Sequence, residues 1–198
     1  MKQLTILLFT SFISIYSFSQ TLEYTFDVKY KGKSIGNLFA KKVVDGNETK
    51  EDLRTKTKVN LIALSVHVES EVKLIKRDDQ LIQSVSYRNA SRESEDIVSE
   101  ISKINSQEYK VKRNGKEFKL LESEIRFCTV DLYFSEPENI NQVFSSMFAE
   151  YLKLEEVSPN RYKLISPKSR DTFYTYKDGK LIMVEIDTKV GMVKCYLI

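Results

Sequence analysis

His67 is the only histidine in the chain, so any histidine-dependent chemistry would have to use it. It lies between Val66 and Val68 in an alternating segment, which places it on the same predicted strand face as Glu69 and Glu71. An imidazole beside two carboxylates could serve a hydrolase or a metal-dependent enzyme. Neighbours on one strand face are about 7 Å apart, so another loop would have to complete such a site. A solvated strand face with charge pairs is the favoured interpretation.

The two cysteines, Cys128 and Cys195, both fall on apolar faces of predicted strands. In an exported chain a disulfide between them would persist and would close a long loop. Two buried, unpaired thiols that act as small apolar side chains fit the pattern equally well. The sequence leaves both alternatives open, and neither is catalytic.

Aromatic and methionine side chains offer the best candidates for contacts to an apolar ligand, because tyrosines suit the mouth of an apolar cavity. The same residues suit an ordinary β-sheet core, which is the favoured interpretation. The candidate ligand-binding residues are Tyr24, Phe144, Met147, Phe148, Tyr174 and Tyr176.

Most of the chain alternates between apolar and polar residues, as in the segment from Leu22 to Tyr30, which predicts strands with one face on a core. Asn114-Gly115 and Asp178-Gly179 are strong signals for tight hairpin turns. About eleven short strands joined in this way predict a mainly β protein, with a strongly curved antiparallel meander sheet or an open barrel.

One segment departs from this alternation and predicts an α-helix at about residues 136–152, packed on the concave face of the sheet. A capping-box spacing and a proline precede the segment at Ser135-Glu136-Pro137-Glu138. The apolar residues that share one helical stripe are Ile140, Val143, Phe144, Met147, Phe148 and Tyr151. The stripe would fill the core or, less simply, form a lid over a ligand.

Residues 1–19 have the features of a secretory signal peptide: Lys2, an apolar run and small residues near Ser19. We expect residues 20–198 to form one β-rich domain with no transmembrane segment, exported to the periplasm or beyond the cell. Removing Lys2 from the 31 basic residues leaves 30 against 28 acidic ones, a net charge of +2. This balance argues against nucleic acid as a partner.

Several short motifs together resemble a family of exported bacterial proteins of Bacteroidota type, classed as a domain of unknown function. They are Ser17-Phe18-Ser19-Gln20, Tyr24-x-Phe26-x-Val28-x-x-x-Gly32-Lys33-x-Ile35-Gly36, Leu132-Tyr133-Phe134-x-x-Pro137, Val143-Phe144-Ser145 and Tyr174-x-Tyr176-x-x-Gly179. The fold outline is similar to that of the half-barrels that carry lipoproteins across the periplasm. The resemblance implies handling of apolar ligands and supplies no catalytic residue.

Together these features predict a non-enzymatic binding or carrier module in the cell envelope, with no cofactor. Its expected partner is an apolar small molecule or lipid, or an envelope protein. Two alternatives stay open: a hydrolase or metal-dependent enzyme that uses His67, and a structural or assembly factor.

Overall fold

A computed structural model describes residues 19–61, 64–91, 96–167, 171–188 and 191–198. The predicted signal segment therefore lies almost entirely outside the described residues. The strands are β1 (Gln20–Tyr30), β2 (Lys33–Asp45), β3 (Glu48–Leu61), β4 (Leu64–Arg77), β5 (Gln80–Ala90), β6 (Ile97–Lys103), β7 (Glu108–Arg113), β8 (Lys116–Leu121), β9 (Gln142–Ser145), β10 (Glu150–Ser158), β11 (Arg161–Leu164), β12 (Thr172–Lys177), β13 (Lys180–Thr188) and β14 (Gly191–Leu197). A short 3₁₀ helix spans Asp131–Tyr133.

All these strands belong to one antiparallel sheet of 14 strands, in the order β8-β7-β6-β5-β4-β3-β2-β1-β14-β13-β12-β11-β10-β9. Nearly every strand pairs with its neighbour in the chain, because short hairpin turns connect them. The exceptions are β8 and β9, which do not pair with each other, and β1 pairs with β14 as well as with β2 and so joins the amino-terminal and carboxy-terminal halves. The strands β8 and β9 form the two ends of the sheet, which is therefore not closed into a barrel.

The predicted α-helix at residues 136–152 is wrong, and so is the estimate of about eleven strands. The described part of the chain contains no α-helix, and this segment instead forms the hairpin β9–β10. Asn139 and Ala149 both have a φ of 58°, a left-handed conformation that interrupts helical geometry. Val143 and Phe144, which are adjacent and point to opposite sides of β9, are both fully buried. A strand buried on both faces thus produced apolar spacing that resembles a helical stripe.

The hairpin turns predicted from Asn-Gly and Asp-Gly pairs are present. Asn114 and Gly115 have φ values of 49° and 79°, and Asp178 and Gly179 have values of 51° and 72°. Positive φ at both central residues is what a type I′ turn requires, and its twist matches that of the flanking strands. Beside these turns Arg113 faces Lys116 and Lys177 faces Lys180, and a bulge between Thr175 and Tyr176 then shifts the β12–β13 register.

The sheet curls so strongly that its two ends approach each other. The guanidinium of Arg113, next to one end in β7, donates a hydrogen bond of 3.1 Å to the carbonyl of Met147, in the turn between β9 and β10. Residues 122–141, which we call the strap, cross the concave face between β8 and β9. The amide of Leu81 at the start of β5 donates to the carbonyl of Ile125 in the strap, at 2.8 Å.

The strap also extends the β9 end of the sheet. The amide of Phe144 donates to the carbonyl of Phe127, and the amide of Thr129 donates to the carbonyl of Phe144, both at 2.9 Å. The strap therefore covers the outer edge of β9 in a parallel arrangement. It also contributes apolar side chains to the core.

The concave face is filled by two adjoining core clusters. The first gathers around β1, β2 and β10–β14 with the strap residues Leu132 and Tyr133. The second gathers around β4–β7 with the strap residues Ile125, Cys128 and Val130. Among the described residues, no helix is long and apolar enough to cross a membrane.

Candidate functional site

The predicted ligand-binding residues lie within the two core clusters or pack against them. Tyr24, Tyr174 and Tyr176 belong to the first core cluster or pack on it, whereas Phe144 belongs to the second. Met147 and Phe148 lie half-buried in the turn between β9 and β10. The structure therefore divides these side chains between two clusters and does not gather them around one cavity.

The buried tyrosines make specific contacts with the strap. The hydroxyl of Tyr176 donates a hydrogen bond of 2.6 Å to the carbonyl of Leu132. The ring of Tyr133 meets those of Phe26 and Tyr174 edge to face, with centroids 5.8 and 6.0 Å apart. Burial raises the pKa of Tyr174 well above its usual range, so its phenol stays neutral. These contacts position the 3₁₀ helix of the strap.

Both cysteines are free and buried, and they lie in different core clusters. Burial raises the pKa of Cys195 to about 12, and it raises that of Cys128 further. A thiol with so high a pKa is protonated at neutral pH and reacts slowly, because the thiolate is the nucleophile. Both side chains therefore pack as small apolar groups.

His67 is exposed on β4, where its Nε2 lies 3.2 Å from Oδ1 of Asn89. Its neighbour Glu69 is 3.8 Å from the ammonium of Lys56, and Glu71 pairs with Arg54 at 2.9 Å. In the part of the chain that the structure describes, no three His, Cys, Asp or Glu side chains come together as metal ligands.

A group of four charged side chains lies under the strap, and sequence analysis did not identify it. We call Lys42, Glu51, Lys76 and Asp131 the buried charge cluster. Lys76 is only 3% exposed and forms a bidentate contact with both carboxylate oxygens of Asp131. Asp131 also accepts a hydrogen bond of 2.7 Å from the amide of Cys128. The ion pair thus fastens the strap to β4.

Glu51 is the most deeply buried member of the cluster, with 1% of its surface exposed. Its Oε1 lies 2.8 Å from the ammonium of Lys42, and its Oε2 lies 3.9 Å from that of Lys76. Burial and then the charge of Asp131 raise the pKa of Glu51 to about 7, because the two lysines offset these effects only in part. This carboxyl therefore exchanges its proton near neutral pH.

The other charges of the cluster favour a structural role. Burial lowers the pKa of Lys76, but the carboxylates of Asp131 and Glu51 outweigh it and raise the pKa above the usual value. A lysine with a raised pKa stays protonated and is not a nucleophile. What the cluster can do is hold the strap on the sheet, with a strength that depends on the protonation of Glu51.

The positions of these charged residues along their strands are the sequence signal for the cluster. Lys42 is two residues after the buried Ala40 on β2, and Lys76 is two residues after the buried Leu74 on β4, so both lysines lie on the inward face. Glu51 lies on the inward face of β3. Charged residues at inward positions on three neighbouring strands indicate a buried ionic group.

The outer edge of β8 is the other distinctive site. Among the described residues, no backbone group pairs with this edge, because the chain leaves β8 and crosses the concave face instead. We call the strand Lys116–Leu121 and its open side the β8 edge. Phe118 is 43% exposed on its concave side and Leu121 is 73% exposed at its end.

A surface depression of about 340 Å³ adjoins the end of β8 and is lined by Asn105, Gln107, Glu108, Leu121, Glu122 and Ser123. A second, of about 280 Å³, lies near Tyr30 and Met192. Both are open to solvent, and neither is lined by the predicted ligand-binding residues. The β8 edge therefore combines open backbone groups, exposed apolar side chains and an adjoining depression.

These features define a class: an open, curled antiparallel β-sheet protein whose concave face is filled by its own strap. The model of a family described as Domain of unknown function (DUF6134) matches residues 26–197, so the chain belongs to this family. At that level the resemblance drawn from the sequence is confirmed. No curated protein and no solved structure matches the chain.

Proposed function

We propose that this protein is an exported, non-enzymatic binding module that takes an extended segment of a protein partner at the β8 edge. The observation that carries the proposal is the open edge itself, with exposed Phe118 and Leu121 and a depression beside it. Strand addition uses main-chain hydrogen bonds for affinity and adjoining pockets for specificity. Export is part of the proposal, since residues 1–19 have the pattern of a signal peptide.

A protein partner is better supported than a carried lipid or other apolar molecule. In the resemblance to lipoprotein-carrier half-barrels, the ligand would occupy the concave face. Here Leu132 and Tyr133 of the strap occupy that face, and Tyr176 and Lys76 hold the strap in place. A ligand on the concave face would first have to displace the strap, whereas a strand that pairs with the β8 edge would displace nothing.

Site-specific photo-crosslinking in the organism that encodes the protein tests this proposal. A photoreactive amino acid at position 121 should yield adducts of defined mass, and the same residue at position 157 should not. Val157 is a matched control because it is also an exposed apolar residue, 45% exposed on β10. Adducts at both positions, or at neither, would contradict the proposal.

A variant that blocks the edge makes the test specific. Lys119→Pro removes an amide N–H from the outer side of β8 and leaves the ladder to β7 intact, because edge strands tolerate proline there. Adducts at position 121 should be lost in this variant. Mass spectrometry of the purified protein would also show whether residues 1–19 have been removed.

A further inference from the structure

The backbone geometry of β8 determines which of its groups are open. The two-residue turn Asn114-Gly115 places Arg113 and Lys116 opposite each other as the first pair of the β7–β8 ladder. Such a pair exchanges both hydrogen bonds, and alternate pairs along an antiparallel ladder do not. The backbone groups of Glu117, Lys119 and Leu121 therefore point away from β7, where an added strand would meet them.

The side chains of β8 are complementary to a second copy of the same strand. Within the chain Glu117 pairs with Lys110 at 3.1 Å and Lys119 pairs with Glu108 at 3.2 Å. When two copies run antiparallel with Phe118 opposite Phe118, each Glu117 also lies opposite Lys119 of the other copy. The backbone groups of both residues point toward the added strand. Glu117 and Lys119 of the other copy would therefore form backbone hydrogen bonds with each other as well as a side-chain ion pair. Registers in which Lys119 meets itself would place like charges opposite each other.

This register also continues the charge pattern of the convex face. Glu100, Lys112 and Glu117 lie directly opposite one another on β6, β7 and β8. Lys119 of the second copy would be the next residue in this row and would be opposite in sign to Glu117; the row then continues with Lys110 of that copy, which has the same sign as Lys119. The turn at Gly115 of the second copy would lie beside Leu121, which is the most exposed residue of the strand.

We propose that a second copy of this chain occupies the β8 edge, with the two strands antiparallel about a two-fold axis at Phe118. The inference rests on the proposed function and names its partner. Lysines on an edge strand usually oppose pairing, but here Lys119, which lies 3.2 Å from Glu108 of its own chain, would also face Glu117 of the partner copy. One short strand from each copy makes a small interface, so the dimer is weak and depends on concentration.

Disulfide trapping tests the position of the axis. Opposed residues of a non-hydrogen-bonded pair have Cα atoms about 4.5 Å apart, within the range that a disulfide spans. Phe118→Cys should therefore form a covalent dimer under mild oxidation, and Leu121→Cys should not. The native cysteines do not interfere, because Cys128 and Cys195 are buried. Equal trapping of both variants, or of neither, would overturn the register.

Charge reversal tests the complementarity. Glu117→Lys and Lys119→Glu should each weaken dimerisation about tenfold, because both symmetric pairs become repulsive. An equimolar mixture of the two variants should recover association, since every pair across the heterodimer is then of opposite charge. Sedimentation velocity over a concentration series measures all three samples. Failure of the mixture to recover would overturn the proposal.

The outcomes separate this inference from the proposed function. If the adducts at position 121 contain a different protein and the chain is a monomer at all concentrations, the dimer is overturned and the proposed binding function is supported. No adducts and no dimer would overturn both. Adducts that contain the same chain, lost in Lys119→Pro, would support both.

Discussion

Replacing Glu51 with glutamine is expected to make the protein increasingly more stable than the wild type as the pH rises from about 4.5 to about 7. Glu51 is buried among Lys42, Lys76 and Asp131, and its folded-state pKa is raised above that of the unfolded chain. A carboxyl of this kind favours folding below its unfolded pKa. That contribution is lost as the pH rises through the folded value, because the buried group must then ionise.

The size of the effect follows from the two pKa values. A folded pKa of about 7 against an ordinary value near 4.5 corresponds to about 3 kcal/mol of unfolding free energy. Glutamine carries no charge at any pH and has nearly the same size and shape as glutamate. The difference in unfolding free energy between the variant and the wild type should therefore be constant below pH 4.5, and it should increase in favour of the variant as the pH rises from 4.5 to about 7.

Urea unfolding at a series of pH values measures this difference. The chain has no tryptophan, so far-UV circular dichroism is the suitable signal. Glu48→Gln is a matched control on the same strand. Glu48 is only partly buried and Lys50 lowers its pKa, so the stability of this variant relative to the wild type should fall as the pH rises. A variant Glu51→Gln whose advantage stays flat or declines with pH would refute the reasoning.

Two further predictions concern the strap and the sheet. Asp131→Ala should cost about 3–5 kcal/mol in urea unfolding because it leaves the buried Lys76 with only the Glu51 carboxylate, 3.9 Å away, and adding Lys76→Met should recover part of the loss. Simple addition of the two losses would contradict this account. Gly36→Ala should lower stability by about 2 kcal/mol or more, since its Cβ would lie 2.1 Å from the carbonyl oxygen of Lys56. In thermal unfolding the control Gly32→Ala, where no atom lies within 4 Å, should lose only about 1 kcal/mol, and equal losses would contradict the close approach.

The sequence predicts the parts of this fold that depend on neighbouring residues. Alternation from Leu22 to Tyr30 corresponds to β1, and the turns at Gly115 and Gly179 join strands as expected. In these elements the alternation and the turn residues are local features, although β1 also pairs with the distant strand β14. The two-residue periodicity and the turn residues are then sufficient to predict these strands and hairpins.

The parts that depend on distant residues could not be predicted in this way. Phe144 is buried because the strap pairs with β9 through Phe127, and nothing local distinguishes this from a helical stripe. Asp131 reaches Lys76 only because the strap crosses the sheet, 55 residues away in the chain. Asp131 is a charged residue within an apolar stretch, so the sequence indicates that it is unusual, but only the fold shows that its partner is Lys76.

The path of the strap decides which end of the sheet is available to a partner. An open sheet has two edges, and each is a template for pairing with another chain. The strap covers one of them by its parallel contact with Phe144, and the ion pair between Asp131 and Lys76 keeps it there. Had it continued along β8 instead, Phe118 and Leu121 would be covered and β9 would be free. The buried charge cluster and the open edge are therefore two consequences of one feature, the crossing of the concave face by residues 122–141.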